Sequence, residues 1–341
     1  MRARVLSLAV LCGATSLAAQ TTASPSWSVT APDAALAWFS VLADWRVDGE
    51  GAFSFVAHDV RDQTPVARDA SLARRLRSDR SRSVLHFVPL YYPSSTRASL
   101  ALALRAAATG ATAPEPRATF LLSALERATP TAARREYLEA LATALAGATS
   151  STPSAAQLAA WQRRLDSLYL PALAPYLARE RLDGGRMIVA PSIGAEGRLF
   201  VATADRHDNL IAVSAFVGDP DADAPLFAFV REICFPAVTR MATAVRLDAS
   251  SAGAARRSSI AAVRCGAALL QSCLPTEAAA YQAFWIRQAE RNGLVPRAAI
   301  AVRESRAIRT EFDRVFPAEP ALAARVGCVR SATSPPHHHL S

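Results

Sequence analysis

Apolar residues recur at three- and four-residue steps near the start of the chain, at Ala35, Trp38, Phe39, Leu42 and Trp45, and predict an amphipathic helix over residues 32–45. A short apolar run over 52–56 comes next, then an arginine-rich stretch to Arg82, then a strand-like run over 84–90. Helix-forming composition dominates from there. Residues 97–108, 118–127, 132–146 and 155–179 are rich in Ala, Leu, Arg and Glu, with Ser, Thr, Pro or Gly between them. The Pro/Ser/Thr cluster at 149–154 reads as an interhelical loop or a flexible joint.

The pattern changes after Asp183. Gly184 and Gly185 introduce apolar runs at 187–190, 199–204 and 210–217, separated by turn residues, which predicts a three-stranded antiparallel meander. An acidic loop at 219–225 leads into helical stretches at 226–245, 258–271, 276–291 and 300–315. The expected fold class is α+β, mainly helical, with a small antiparallel sheet of about three strands. The expected organisation is a signal peptide at 1–19, a flexible leader at 20–30, a helical region at 31–180, a sheet-plus-helix region at 181–330 and a disordered tail at 331–341.

The first residues carry Arg2 and Arg4, an apolar run over 5–11, and small residues at Ser16, Ala18 and Ala19. This is the pattern of a cleaved secretory signal, and the expected location is periplasmic or secreted. The run is shorter than the roughly 20 apolar residues that span a bilayer. Cys12 follows Leu11 and falls too early for a lipoprotein site.

Removing Arg2 and Arg4 lowers the formal charge from +9 to +7. The basic excess does not imply a nucleic-acid partner, because the chain has no lysine and its arginines are scattered rather than gathered into a stripe.

Four cysteines remain after cleavage: Cys234, Cys265, Cys273 and Cys328. An even set in an oxidising compartment favours two disulfides, and the CxxC spacing of a zinc site is absent. Three pairings exist. One helix over 265–273 would hold its ends about 12 Å apart, too far for a bridge, which favours Cys234 with Cys265 and Cys273 with Cys328.

The candidate chemistry lies in the helix that follows the meander, where Arg231, Glu232, Ile233, Cys234 and Phe235 stand in the spacing of an HExxH zinc-peptidase motif. A later helix reads Tyr281-Gln-Ala-Phe-Trp-Ile-Arg-Gln-Ala. The order of early helix, helical middle, meander and these two helices resembles a family of uncharacterised exported bacterial proteins with a zincin-like core and gluzincin-type ligands.

The resemblance implies that Glu232 holds the general-base position, that Arg231 and Phe235 hold the two histidine positions, and that Ala283, aligned through Arg287, holds the third ligand position. Arg231 brings a fixed positive charge, and Phe235 and Ala283 have no donor atom, so the resemblance implies no metal and no cofactor. Pro236 removes a backbone donor and predicts a break in the helix. The plainer reading is that Arg231 and Glu232 are polar residues of a buried helix, paired elsewhere.

Other candidates have bland readings. His207-Asp208-Asn209 fits a hairpin turn. Asp219, Asp221 and Asp223 repeat the first oxygen positions of a calcium loop, but Ala224 and Val230 replace the required Gly and Glu. His58 and His86 sit in apolar runs, and His337, His338 and His339 fall in the tail. The functional expectation is a catalytically inactive peptidase-like protein that binds a peptide or protein. Its rivals are an active zinc peptidase with unrecognised ligands and a helical structural protein of the envelope.

Overall fold

The computed structural model describes residues 24–49, 51–57, 70–78, 82–91, 96–109, 131–202, 205–244, 252–295 and 305–318. The expected signal peptide, the tail, His58, Cys328 and the helix expected at 118–127 lie outside the described residues.

The chain is α+β and mostly helical. Four strands, β1 (Ser26–Thr30), β2 (Gly184–Ala190), β3 (Arg198–Phe200) and β4 (Asn209–Ser214), form one sheet in the order β1-β2-β4-β3. The sheet is not the expected antiparallel meander. β1 pairs parallel with β2, β2 pairs parallel with β4, and β3 alone runs antiparallel, against β4. Both faces of the sheet are covered, which is the setting in which parallel strands are stable. Part of the expected flexible leader is β1, whose outer edge is covered by one side chain: Gln162 accepts from Val29 N at 2.6 Å and donates to Trp27 O at 2.9 Å.

Side chains alternate across the sheet with the strand period of two. Ile188, Ala190, Leu210 and Ala212 face one core, and Met187, Val189, Ile211 and Val213 face the other. The first core is completed by α1 (Asp33–Asp44), α2 (Ala70–Ser78), α3 (Arg82–Leu85), α4 (Val88–Tyr91), α5 (Arg97–Thr109) and α6 (Thr131–Ala146). The strand-like run at 84–90 is therefore two short helical turns. His86 lies in the connection between them, fully buried.

The second core is built by α7 (Ala155–Arg164), a π turn (Leu165–Tyr169), α8 (Leu170–Glu180), α9 (Ala224–Ile233), α10 (Phe235–Ala244), α11 (Ala252–Cys273), α12 (Pro275–Arg291) and α13 (Ser305–Val315). Ser154 starts α7 with a capping box, its hydroxyl accepting from Gln157 N while Gln157 Oε1 accepts from Ser154 N. Arg181, at φ 62°, ends α8 in the left-handed conformation.

Every residue of α9 is buried, which is the signature of a helix enclosed by protein on all sides. It lies against β3 and β4, with α11 and α12 packed on it. The helix stops at Cys234 and resumes at Phe235, where Pro236 cannot donate to the carbonyl of Glu232. Cys234 is bonded to Cys265 of α11, as the helical distance between Cys265 and Cys273 suggested. Among the described residues, no helix is long and apolar enough to cross a membrane. The disulfide suits an oxidising compartment.

Candidate functional site: a buried charge cluster at the sheet edge

Because α9 is enclosed, Arg231 and Glu232 are carried inside, 0% and 1% exposed. Arg231 Nη1 donates to Glu232 Oε1, and Nη2 donates to Glu196 Oε2 at 2.8 Å and to Ser259 Oγ at 2.7 Å. Ser259, on α11, in turn donates its hydroxyl hydrogen bond to Glu196 Oε2 at 2.7 Å. Glu196 also lies 3.7 Å from Arg198 Nη1, and Arg198 Nη2 meets Nδ1 of His86 at 2.6 Å. The result is an alternating string, Glu232, Arg231, Glu196, Arg198, His86, that runs along the start of β3 where the two cores meet. Two guanidinium groups balance two carboxylates, so the string is neutral when both acids are ionised.

Aromatic rings close around it. The Arg231 guanidinium carbon stands 4.9 Å from the Phe235 ring centroid and 5.5 Å from those of Phe53 and Trp285. Arg198 stands 4.7 Å over Phe55. Contacts of this kind are worth about 2 kcal/mol each when desolvated. Gly197 permits the close fit, since a Cβ there would fall 2.8 Å from the Glu232 carboxyl.

Burial pushes the Glu232 carboxyl up to about 7, against the opposing charge of Arg231. Burial also works against the Arg231 charge, but Glu196 and Glu232 outweigh it and hold that guanidinium above its ordinary value. Arg198 is drawn down by burial, with Glu196 opposing. Arg231 therefore keeps its proton, and Glu232 is the member that titrates near neutrality.

A general base must come within about 3 Å of the proton it removes. Glu232 is closed off from solvent and committed to Arg231. Phe235, one turn along from Arg231, contributes a ring to the cluster rather than a donor atom. Ala283 is half-buried on α12, and the α12 ring recorded over Arg231 is that of Trp285. Residues that sequence reasoning did not bring together are Glu196, Arg198, Ser259 and His86. The one local signal, for Glu196 and Arg198, is the run Gly194-Ala-Glu-Gly-Arg198, with Glu196 between two glycines and Arg198 directly after the second.

The other candidates are engaged structurally. Asp219 has a fully buried side chain and accepts from Arg287 and Arg291 at 3.1 Å and from Gln288 at 3.2 Å. Asp223 accepts from Arg164 at 2.8 Å and from the Tyr169 hydroxyl at 3.1 Å. These carboxylates are neutralised by arginine, which leaves a calcium ion little to bind. No group of three or more metal-ligating side chains occurs among the described residues. His207 sits in the turn before β4, where its N–H donates to Asp205 Oδ1 at 2.8 Å, and the turn is tied by the buried Asn209.

Two cavities open past the carboxyl ends of β2 and β4. One, of about 210 Å³, includes Pro191, Ser214 and Phe216; the other, of about 600 Å³, includes Trp161, Phe216 and Asp221. Neither is lined by Glu232 or Arg231. No family model matches the chain, and no curated protein or solved structure gives a significant match to it.

Proposed function

We propose that the chain is an exported binding protein on a degenerate zinc-peptidase-like core, working in the periplasm or outside the cell by holding a peptide or protein. The observation that carries this reading is the commitment of Glu232. Its carboxylate is buried and bonded by the neighbouring guanidinium, so it is not free to take a proton from a substrate or from a nucleophilic water. The packing of α9 against β3 and β4, with α12 against it, supports the peptidase-like core. Binding needs none of the lost groups. A sheet edge offers main-chain donors and acceptors to any extended chain, and β3 is such an edge.

The test uses the purified chain without its first 19 residues and a pool of unstructured peptides. Binding without cleavage, with hydrogen-exchange protection appearing at residues 198–200, is the expected result. About one tightly held zinc per chain, or hydrolysis lost in Glu232→Gln, overturns the reading in favour of a peptidase.

A further inference from the structure

The larger cavity past β4 lies where the sheet sends its chain in two directions. β1, β2 and β4 run parallel, and β1 continues into α1 in the first core while β4 continues through residues 215–223 into α9 in the second. Connections that leave a parallel sheet toward opposite faces open a crevice beyond the carboxyl ends of the strands, where ligands bind. The volume here, about 600 Å³, is that of a small-molecule site.

Three elements build the wall. The 215–223 turn is fixed by Phe216, at φ 47°, whose ring meets Phe284 edge to face at 4.9 Å and whose carbonyl accepts from Asp219 N at 2.9 Å. α7 contributes Arg164 and Trp161, the indole N–H of which donates to Ala222 O at 3.0 Å, and α12 contributes Glu277. Val217 also lines the cavity and is 74% exposed.

The charges around it do not balance. Arg164 bonds Asp223 at 2.8 Å and Glu277 at 3.2 Å, Arg287 and Arg291 each bond Asp219 at 3.1 Å, and Arg287 stands 3.6 Å from Asp221. Among the described residues, Asp219, Asp221, Asp223 and Glu277 are thus set against Arg164, Arg287 and Arg291, with one negative charge in excess. The longest of these contacts belongs to Asp221. Burial holds its carboxyl above the ordinary value, against the Asp223 amide and Arg287.

We propose that this cavity binds an organic monocation, with an ammonium or guanidinium group beside Asp221 and an apolar body against Trp161 and Phe216. The excess charge matches a single cation. A calcium ion needs about six or more oxygens, and most of those present are taken by arginine. An apolar wall with a few fixed polar groups is what orients a small ligand, and an aromatic ring attracts a cation held over its face. The same chemistry comes from a free amine or from the basic side chain of a peptide. The cavity is separate from the β3 edge, so the two sites stand or fall independently.

The experiment titrates the chain without its first 19 residues by calorimetry at low salt, using 2-phenylethylammonium, the neutral 2-phenylethanol of the same shape, and the blocked dipeptide acetyl-Phe-Arg-amide. At least one of the cations is expected to bind about tenfold or more tighter than the alcohol, and Asp221→Asn is expected to abolish that preference while staying folded. Binding of the amine alone assigns the site to a small molecule, and binding of the dipeptide alone assigns it to a basic side chain. Equal binding of cation and alcohol, no binding of either cation, or an unchanged preference in folded Asp221→Asn overturns the proposal. Displacement of the bound cation by calcium overturns it in favour of a metal site.

Should the variant not fold, hydrogen exchange on the unaltered protein decides. The cation is expected to protect amides within residues 216–223, and the alcohol is not. A cation that leaves those amides unprotected overturns the proposal, and protection confined to residues 198–200 does so while leaving the edge-binding reading standing.

Discussion

Arg198 Nη2 meets Nδ1 of His86 at 2.6 Å while His86 Nε2 meets the Val47 carbonyl oxygen at 2.8 Å. A carbonyl and a guanidinium each leave the ring one role, so His86 donates through Nε2, accepts through Nδ1 and is neutral. His86→Phe would keep a ring against Phe55 and delete both bonds, leaving a buried guanidinium donor and a buried carbonyl unsatisfied. The expected loss is about 3 kcal/mol in urea denaturation. A loss well below 1 kcal/mol would contradict the tautomer assignment.

Glu232 makes stability fall as pH rises. Its carboxyl is raised from 4.5 to about 7 in the folded chain, so across that window the folded state binds more protons than the unfolded one. The stabilising contribution is complete below pH 4.5 and is lost as pH passes 7. The full shift corresponds to something on the order of 3 kcal/mol. Thermal melts of the unaltered protein and Glu232→Gln across this window should differ in slope, the variant being flatter, and parallel curves would refute the assignment.

Arg231 should look far more important alone than in company. Arg231→Met strands two buried carboxylates and should cost about 3–5 kcal/mol. Adding Glu196→Gln and Glu232→Gln removes those charges and should recover at least half of the loss, a coupling that denaturation of the single and combined variants measures directly.

The disulfide between Cys234 and Cys265 joins the break after α9 to α11 across 31 residues. Chain-entropy arguments for a loop of that length give about 3–4 kcal/mol. Cys234→Ala/Cys265→Ala should lower the midpoint of denaturation by a corresponding amount, and an unchanged midpoint would mean the bond closes a loop that the packing already closes.

Local patterns in the sequence predicted the elements that local physics governs. The stripe through Trp38 and Leu42 is α1, the alanine-rich stretch after Ser154 is α7, and Pro236 breaks the helix after Glu232. Long-range pairing was not readable. Runs such as Met-Ile-Val-Ala and Leu-Ile-Ala-Val read alike in a meander and in a parallel sheet buried on both faces, and nothing near Ser26 announces a partner at Gly184. The run around His86 is apolar enough for a strand, yet it turns twice into short helices because His86 is drawn inward to Val47 and Arg198.

Arg231 and Glu232 were singled out by their spacing. Glu196, Ser259 and His86 join them only through tertiary folding, since each comes from a different part of the chain.

The parallel pairing of β1 with β2 also sets the order in which the molecule can assemble. Trp27 closes onto the Leu182 carbonyl 155 residues away, so the first strand has no sheet neighbour until more than half of the chain is available. Loops of that length close slowly, and sheets dominated by distant contacts fold slowly. A nascent chain therefore carries β1 unplaced until β2 has been made. β2, β3 and β4 all fall within residues 184–214, so among the described strands β1 alone waits for a distant partner.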